Sequence, residues 1–552
     1  MSAEPSAAPS SSAEAKGAKA PGAVVGWAER AVALVRAHPV VTILLGIGLV
    51  LRIGRYLHDR SLWLDEASLA VNLTSRSYSH LFGTLDFEQG APVGFLLLEK
   101  FAISTFGDSE RVFRLFPLLA GIAALFVFWR VAVRFLDRSA AMLALAFFAV
   151  LEPFVYYSSE TKQYSFDVLM TLLIVWTFDR ALSSERLGPL AVFAAVGVVA
   201  PWLSHASVFV LAGTGAALIL SEAVARNWRR VILTAAVGAG WLVSFGVVYA
   251  VSIRHLNSEL TGGLSGISSG GSGTTVLKSI YVVLSEPGAM PRTLIGLAAV
   301  LMAIGIVVMW RQRWPRVAAL LLTGVAAAIA GRLGRYPLEE RWALFLVPLE
   351  LLLLSLGAVW LIRSTKMPIR GIAYAAVAVL LIAPAWQAFR HLDKLPASQP
   401  GTPATLQPTR RILAQLEQQW RPGDTLYLGR KSQFAFRYYL TCHDCNSRAA
   451  SQMKLWPFRP IAGSSQTSAA IVPERPSLRL GSECACLIGF LDDFDKLRGK
   501  KRVWFLLTHT APVDEPTLEQ ALDREGRQLA VIREGSSQAL LYDLSKPPPS
   551  SS

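Results

Sequence analysis

Two acids stand side by side at Asp65–Glu66, in the stretch Ser61-Leu62-Trp63-Leu64-Asp65-Glu66-Ala67. They follow directly on an apolar run from Val40 to Tyr56. A carboxylate pair at the edge of a bilayer is costly to desolvate, so its place asks for a chemical or pairing reason. A third acid, Glu160, and a cation, Lys162, lie in Tyr157-Ser158-Ser159-Glu160-Thr161-Lys162-Gln163, between two later apolar runs. Two more cations, Arg335 and Arg341, flank the acids Glu339 and Glu340. A carboxylate can take the proton of an attacking hydroxyl as general base. Lysine and arginine can hold a departing phosphate by charge-assisted bonds. Carboxylates could instead hold a divalent metal ion that neutralises the leaving group, and the residue types alone do not choose. Each group also has a plainer reading. Asp65–Glu66 could be solvated acids at a helix start, where the macrodipole favours them. Glu160 could cap the next helix with Ser158 or Ser159. Lys162 could be an interfacial anchor. Arg335 and Arg341 could be anchors paired with Glu339 and Glu340.

The elements that must position these residues are membrane helices. The chain has 552 residues, 53% apolar and 17% charged, with a mean hydropathy of +0.41. Soluble domains average about 25% charged residues. A spanning helix needs about 20 apolar residues. Candidate runs are Val40–Tyr56, Phe113–Phe135, Ala140–Tyr157, Tyr164–Leu182, Leu190–Leu203, Ser207–Ala223, Val231–Ser252, Thr293–Trp310, Val317–Ala330, Trp342–Ile362 and Ile372–Ala388. The pattern predicts an α-helical polytopic membrane protein with about eleven transmembrane helices. The net charge of +15 comes from Lys and Arg at the ends of these runs, as the positive-inside rule expects. No basic stripe interleaved with aromatics marks a nucleic-acid partner. The partner so implied is the lipid bilayer.

The basic clusters fall on one side if Ala91–Phe106, with Glu99 and Lys100 in its middle, lies on the membrane as an interfacial helix. The N-terminus is then cytoplasmic, and a long external loop runs over 58–111. Residues 1–37 form a disordered cytoplasmic tail rich in Ala, Ser, Pro and Gly. They lack the pattern of a cleavable signal peptide, so the first apolar run is expected to act as an uncleaved anchor. Residues 38–390 make the membrane domain, with a Gly/Ser-rich external loop around Gly262–Thr275, and 391–408 a linker. Residues 409–545 read as a small extracytoplasmic α/β domain. It has a helix at Arg410–Trp420 and strands at Asp424–Leu428, Arg502–Leu507, Leu529–Arg533 and Ala539–Asp543. Residues 546–552 are a disordered tail. All four cysteines, Cys442, Cys445, Cys484 and Cys486, lie in this domain. An oxidising compartment favours disulfides, while the spacing also admits zinc.

In order along the chain, the motifs resemble those of GT-C membrane glycosyltransferases of the protein-O-mannosyltransferase and aminoarabinose-transferase type. Rhizobial lipopolysaccharide core transferase-like proteins are included. Trp63-Leu64-Asp65-Glu66 resembles the acidic motif of that family's first external loop. Gln89-Gly90-Ala91-Pro92-Val93-Gly94-Phe95 resembles its juxtamembrane segment. Phe106-Gly107, then Glu110-Arg111-Val112-Phe113-Arg114-Leu115-Phe116-Pro117, resembles the element that follows. Tyr157 to Tyr164 resembles the second external loop, and Arg341 with Pro348 the late Arg…Pro span. The likeness is best from His38 to Gly240 and absent in the C-terminal domain.

The resemblance implies a glycosyltransferase that moves a sugar from a polyprenyl-phosphate carrier to an extracytoplasmic acceptor hydroxyl, with inversion. The acceptor would be lipopolysaccharide, another polysaccharide, a lipid or a protein. It implies Asp65 as the catalytic base or acceptor-positioning acid, accompanied by Glu66, with Glu160 as the second-loop catalytic acid, and Lys162 and Arg341 near the donor phosphate; Arg335, in the same loop as Arg341, is expected to join them there. It implies a bacterial inner membrane. Gln89 stands where related transferases often carry a cation, and the second loop holds one acid where a pair is usual. Both departures bear on phosphate and metal binding. His205 is expected to be a satisfied membrane-edge histidine. Two other readings are a transporter or flippase of lipid-linked saccharide, suggested by Asp167 and Asp179 within a span, and a non-catalytic envelope assembly protein.

Overall fold

The computed structural model describes residues 38–254, 292–390, 409–442 and 497–545, less 59, 88, 339, 367–368, 422, 429–431, 509–513 and 536. The membrane helices are α1 (Pro39–Leu57), α5 (Leu115–Phe135), α6 (Arg138–Val150), α8 (Tyr164–Leu182), α9 (Leu187–Leu203), α10 (Ser207–Val224), α11 (Trp228–Val248), α12 (Ile295–Arg332), α13 (Val347–Ser364) and α14 (Ile369–Arg390). Between α1 and α5 lie α2 (Leu64–Ser75), α3 (Val93–Phe106) and the single turn α4 (Glu110–Phe113). The short α7 (Glu152–Tyr156) follows α6.

Among the described residues, seven helices are long and apolar enough to cross a bilayer. The bent pair Arg138–Val150 and Glu152–Ser159, turned by 56°, makes eight if it is taken as one span. The expected count of eleven is not reached on this measure, for physical reasons. Leu187–Leu203 is apolar but short. α8 carries Asp167, Asp179 and Arg180 within its 19 residues. The two expected spans around residue 313 are both helical and are the two arms of Ile295–Arg332, broken at the non-helical Arg313 (φ −150°, ψ 55°) two residues before Pro315, so that together they count once. The run at Ala91–Phe106 forms the 14-residue α3, too short to span.

Small residues let the helices approach closely. An added Cβ at Gly305 on α12 would collide with the Leu353 carbonyl, and one at Gly357 on α13 with the Leu301 carbonyl. In lipid such backbone proximity replaces the hydrophobic effect as the source of helix association. Asp179 on α8 is fully buried and takes the guanidiniums of Arg134 on α5 and Arg316 on α12, the latter at 2.6 Å. Arg313 adds a bond to the Arg134 carbonyl at 2.6 Å. This clamp ties three helices at one end of the bundle. Tyr164, at the opposite end of α8, faces the acidic pair through Arg341. Asp179 thereby holds three helices together. Asp167 shares a hydrogen bond with Ser204 at the end of α9.

The C-terminal domain has α15 (Thr409–Gln419), β1 (Thr425–Leu428), α16 (Ser432–Thr441), β2 (Val503–Leu507), α17 (Asp514–Glu525), β3 (Arg527–Glu534) and β4 (Ser537–Asp543). The predicted helix and all four predicted strands are present, with ends moved by one or two residues. The sheet order is β1-β2-β4-β3. β1 and β2 are parallel and the other pairs antiparallel. β2 is buried on both sides, which explains its unbroken apolar run Val-Trp-Phe-Leu-Leu. Cys442, at the end of α16, is disulfide-bonded. Cys445, Cys484 and Cys486 lie outside the described residues, as do 1–37, the linker 391–408, the Gly/Ser-rich loop and the tail 546–552.

Candidate active site

Glu66 is the hinge of the local architecture. It is the third residue of α2, and its Oε2 accepts the Trp63 amide at 3.2 Å, half of a capping box. Arg60 donates two bonds to it, at 2.7 and 3.1 Å. Arg114, just before α5, donates two more, at 2.9 and 2.8 Å. The Thr161 amide completes the shell at 3.0 Å. All of these groups are buried. Burial pushes the Glu66 carboxyl up, but Arg114 and Arg60 outweigh burial and hold it down at about 2. An acid so tightly held is a brace. It joins the first loop, α5 and the second loop at one point.

The brace fixes its neighbours. Asp65 projects from the same turn, keeps about a fifth of its side chain exposed, and meets Arg341 Nη2 at 2.6 Å. Arg341 arrives from the 3₁₀ turns at Glu340–Leu346 and lies over Trp63 at 5.4 Å and Tyr164 at 5.7 Å. The Trp63 indole N–H donates to Glu160 Oε1 at 3.3 Å. Glu160 is fully buried, and its other oxygen has no hydrogen-bond partner. Burial, then the charge of Glu66, pushes the Glu160 carboxyl up to about 7. The Lys162 ammonium donates to Gln89 Oε1 at 2.7 Å. Burial lowers its pKa while the charge of Asp65 opposes the shift.

The structure thus brings Asp65, Glu66, Glu160, Lys162 and Arg341 into one cluster. Arg335 is left out of it. It is exposed on the turn after α12 and takes no part in the bonds that join the others. Glu160 caps no helix, since Ser158 and Ser159 bond instead to the Val155 and Tyr156 carbonyls. His205 is buried at Nε2 with no hydrogen-bond partner there, contrary to the expectation of a satisfied histidine. Sequence reasoning missed Arg60, Trp63 and Thr161 as site residues and gave Arg114 no role. Arg60 had a local signal, a cation six residues before Glu66 at a membrane edge. Arg114 stood in a stretch that the resemblance marked, but its partner lies 48 residues away and nothing local pointed to it.

Among the described residues, no group of three or more His, Cys, Asp or Glu could hold a metal ion. Glu66 has both oxygens taken by guanidiniums and amides, so it is not free to ligate a metal ion.

Residues 89–250 match the family model described as dolichyl-phosphate-mannose-protein mannosyltransferase. No curated protein sequence matches the chain. The chain is similar in structure to ArnT from Cupriavidus metallidurans in the apo state: TM-score 0.51, 14% identity, covering 96% of this chain and 100% of that one. A second structure of that protein, bound to undecaprenyl phosphate, matches with TM-score 0.50 and 14% identity over 92% and 98% of the two chains. An oligosaccharyltransferase from Archaeoglobus fulgidus in the apo form matches at TM-score 0.47 and 11% identity, over 72% and 63%. The chain has the GT-C fold. The likeness to ArnT runs through the C-terminal domain, since it covers nearly the whole of both chains. The family model holds Gln89, Glu160 and Lys162 but neither Asp65 nor Arg341. In this GT-C chain the acid–cation contact between the first loop and Arg341 is therefore a structural observation, independent of the family match.

Proposed function

We propose that the protein is a membrane glycosyltransferase that moves a sugar from a polyprenyl-phosphate carrier to a hydroxyl of an extracytoplasmic acceptor. One observation carries the reading: a part-exposed carboxylate, Asp65, beside the cation Arg341, on a loop that Glu66 locks in place. The matched family and the ArnT structure bound to undecaprenyl phosphate support a lipid-phosphate donor.

The acceptor oxygen attacks the anomeric carbon, and the bond from that carbon to the phosphate oxygen breaks. Its electron pair leaves with the phosphate, and the acceptor's proton passes to the Asp65 carboxylate. A single displacement inverts the anomeric centre. Arg341 and Lys162 stabilise the charge that grows on the phosphate. With Glu160 ionised, the three acids Asp65, Glu66 and Glu160 face the four cations Arg60, Arg114, Lys162 and Arg341. The site then carries one net positive charge, matching a phosphodiester donor. Cleavage adds one negative charge to the phosphate while the proton neutralises one carboxylate, so the net charge does not change during the step. Glu160, buried beside this pair, is the second acid of the site.

We place the chain in a bacterial inner membrane, with its N-terminus cytoplasmic and its C-terminal domain outside. A reporter fused after Arg390 that reads cytoplasmic would overturn that orientation. Transfer is tested in proteoliposomes with a panel of polyprenyl-phosphate sugars and hydroxyl acceptors. If Asp65→Asn and Glu160→Gln both transfer at the wild-type rate, the site is wrongly assigned.

A further inference from the structure

The loop that carries Asp65 is gripped from two sides. From the bundle, Arg114 donates to the Arg60 carbonyl at 2.8 Å and the Ser61 carbonyl at 3.3 Å. From the other side comes the C-terminal domain. The Tyr439 hydroxyl on α16 accepts the Leu62 amide at 3.1 Å and donates to Glu110 Oε1 at 3.1 Å. Arg410, in the first turn of α15, donates to the same oxygen at 3.1 Å, and its amide donates to Ser61 Oγ at 3.3 Å. Leu62, Glu110 and Tyr439 are all buried. The apolar contact is continuous too. Leu62, Ala67, Leu69 and Phe113 share one cluster with Phe436 and Tyr439. One residue past Leu62 is Trp63, whose indole reaches Glu160 and underlies Arg341. Three residues past it is Asp65.

We infer that Tyr439 is a positioning residue for the transfer. The C-terminal domain sets the backbone at Leu62, and through it the directions of Trp63 and Asp65. The domain is then part of the machinery for the chemical step, over and above any contact with acceptor. Removing the hydroxyl leaves a buried amide without its acceptor and takes one bond from Glu110. Small displacements of a positioned group cost large factors in rate. The inference rests on the glycosyl-transfer reading for its rate readout only.

The test uses the full-length protein in proteoliposomes. Tyr439→Phe lowers kcat about tenfold or more, while KM for the polyprenyl-phosphate sugar changes far less, because Lys162 and Arg341 are carried by other segments of the chain. Amide hydrogen exchange over residues 60–67 becomes faster in the same variant. Tyr438→Phe removes a bond of the same kind, to the Asp108 carbonyl at 2.8 Å, and changes neither readout. Should Tyr439→Phe fail to fold, Glu110→Gln weakens the same hold and shows the same split. Wild-type kcat in Tyr439→Phe, or unchanged exchange over 60–67, overturns the inference. If the wild-type protein transfers no sugar from any polyprenyl phosphate, the functional reading fails separately. The exchange comparison between Tyr439→Phe and Tyr438→Phe then decides this inference alone.

Discussion

Three carboxylates within one cluster have three different physical states, and each state predicts a different failure. Asp65 is part-exposed and meets one guanidinium, so it can reach a substrate. Asp65→Asn keeps the shape and removes the proton acceptor. Transfer should fall by about 10²–10⁴-fold, measured as single-turnover rate with donor saturating. The Glu160 carboxyl is pushed up to about 7, and only its ionised form adds the negative charge that raises the basicity of Asp65. The rate should therefore rise with pH through about 7, and the rise should flatten in Glu160→Gln. Glu66 behaves oppositely. Its folded pKa of about 2 lies below the ordinary carboxylate value, so its contribution to stability is present above about 4.5 and lost as pH falls toward 2. Glu66→Gln leaves Arg60 and Arg114 buried without their counter-charge. It should cost about 3–5 kcal/mol, read as a lower Tm in detergent at pH 7. The resemblance set Asp65 ahead, with Glu66 as its companion. The bracing of Glu66 depends on Arg114 and Thr161, 48 and 95 residues away, which no local pattern connects.

At the scale of elements, the helices were legible because apolar length is a local property. α1, α10, α11 and α13 begin or end within a few residues of the runs that predicted them. The break between the runs ending at Trp310 and starting at Val317 is there as the kink at Arg313; what the runs concealed was the use of its cations, since Arg313 and Arg316 serve the Asp179 clamp. Breaking the clamp with Asp179→Ala strands two guanidiniums and should lower Tm, while the transfer rate per folded molecule holds, because the clamp is a helix length away from Asp65. The crossing of α12 and α13 gives a sharper case. Gly357→Leu forces a side chain against the Leu301 carbonyl and should abolish the folded protein, read as loss of the monodisperse peak in gel filtration.

For the whole molecule, the two parts that look separable in sequence are joined. A break in composition after Arg390 predicted an independent α/β domain, and the sheet is there. Yet α16 packs on α2, and the apolar cluster runs from one to the other without interruption. Composition reports where membrane ends and cannot report what a soluble surface rests upon. The cations of the site make a further whole-molecule prediction. Free polyprenyl phosphate should inhibit transfer competitively with the sugar donor, and Arg341→Ala should raise the inhibition constant and the donor KM together. Distance along the chain also has a consequence in time. At about 5–20 residues per second, Thr161 follows Glu66 after roughly 5–20 s, Arg341 follows Asp65 after about 15–55 s, and Tyr439 follows Leu62 after about 20–75 s, from separations of 95, 276 and 377 residues. During synthesis the acidic pair waits at the membrane edge for partners not yet made. On the reading proposed above, a chain still being made would complete this cluster only once its last segment had been synthesised and had closed onto the first loop.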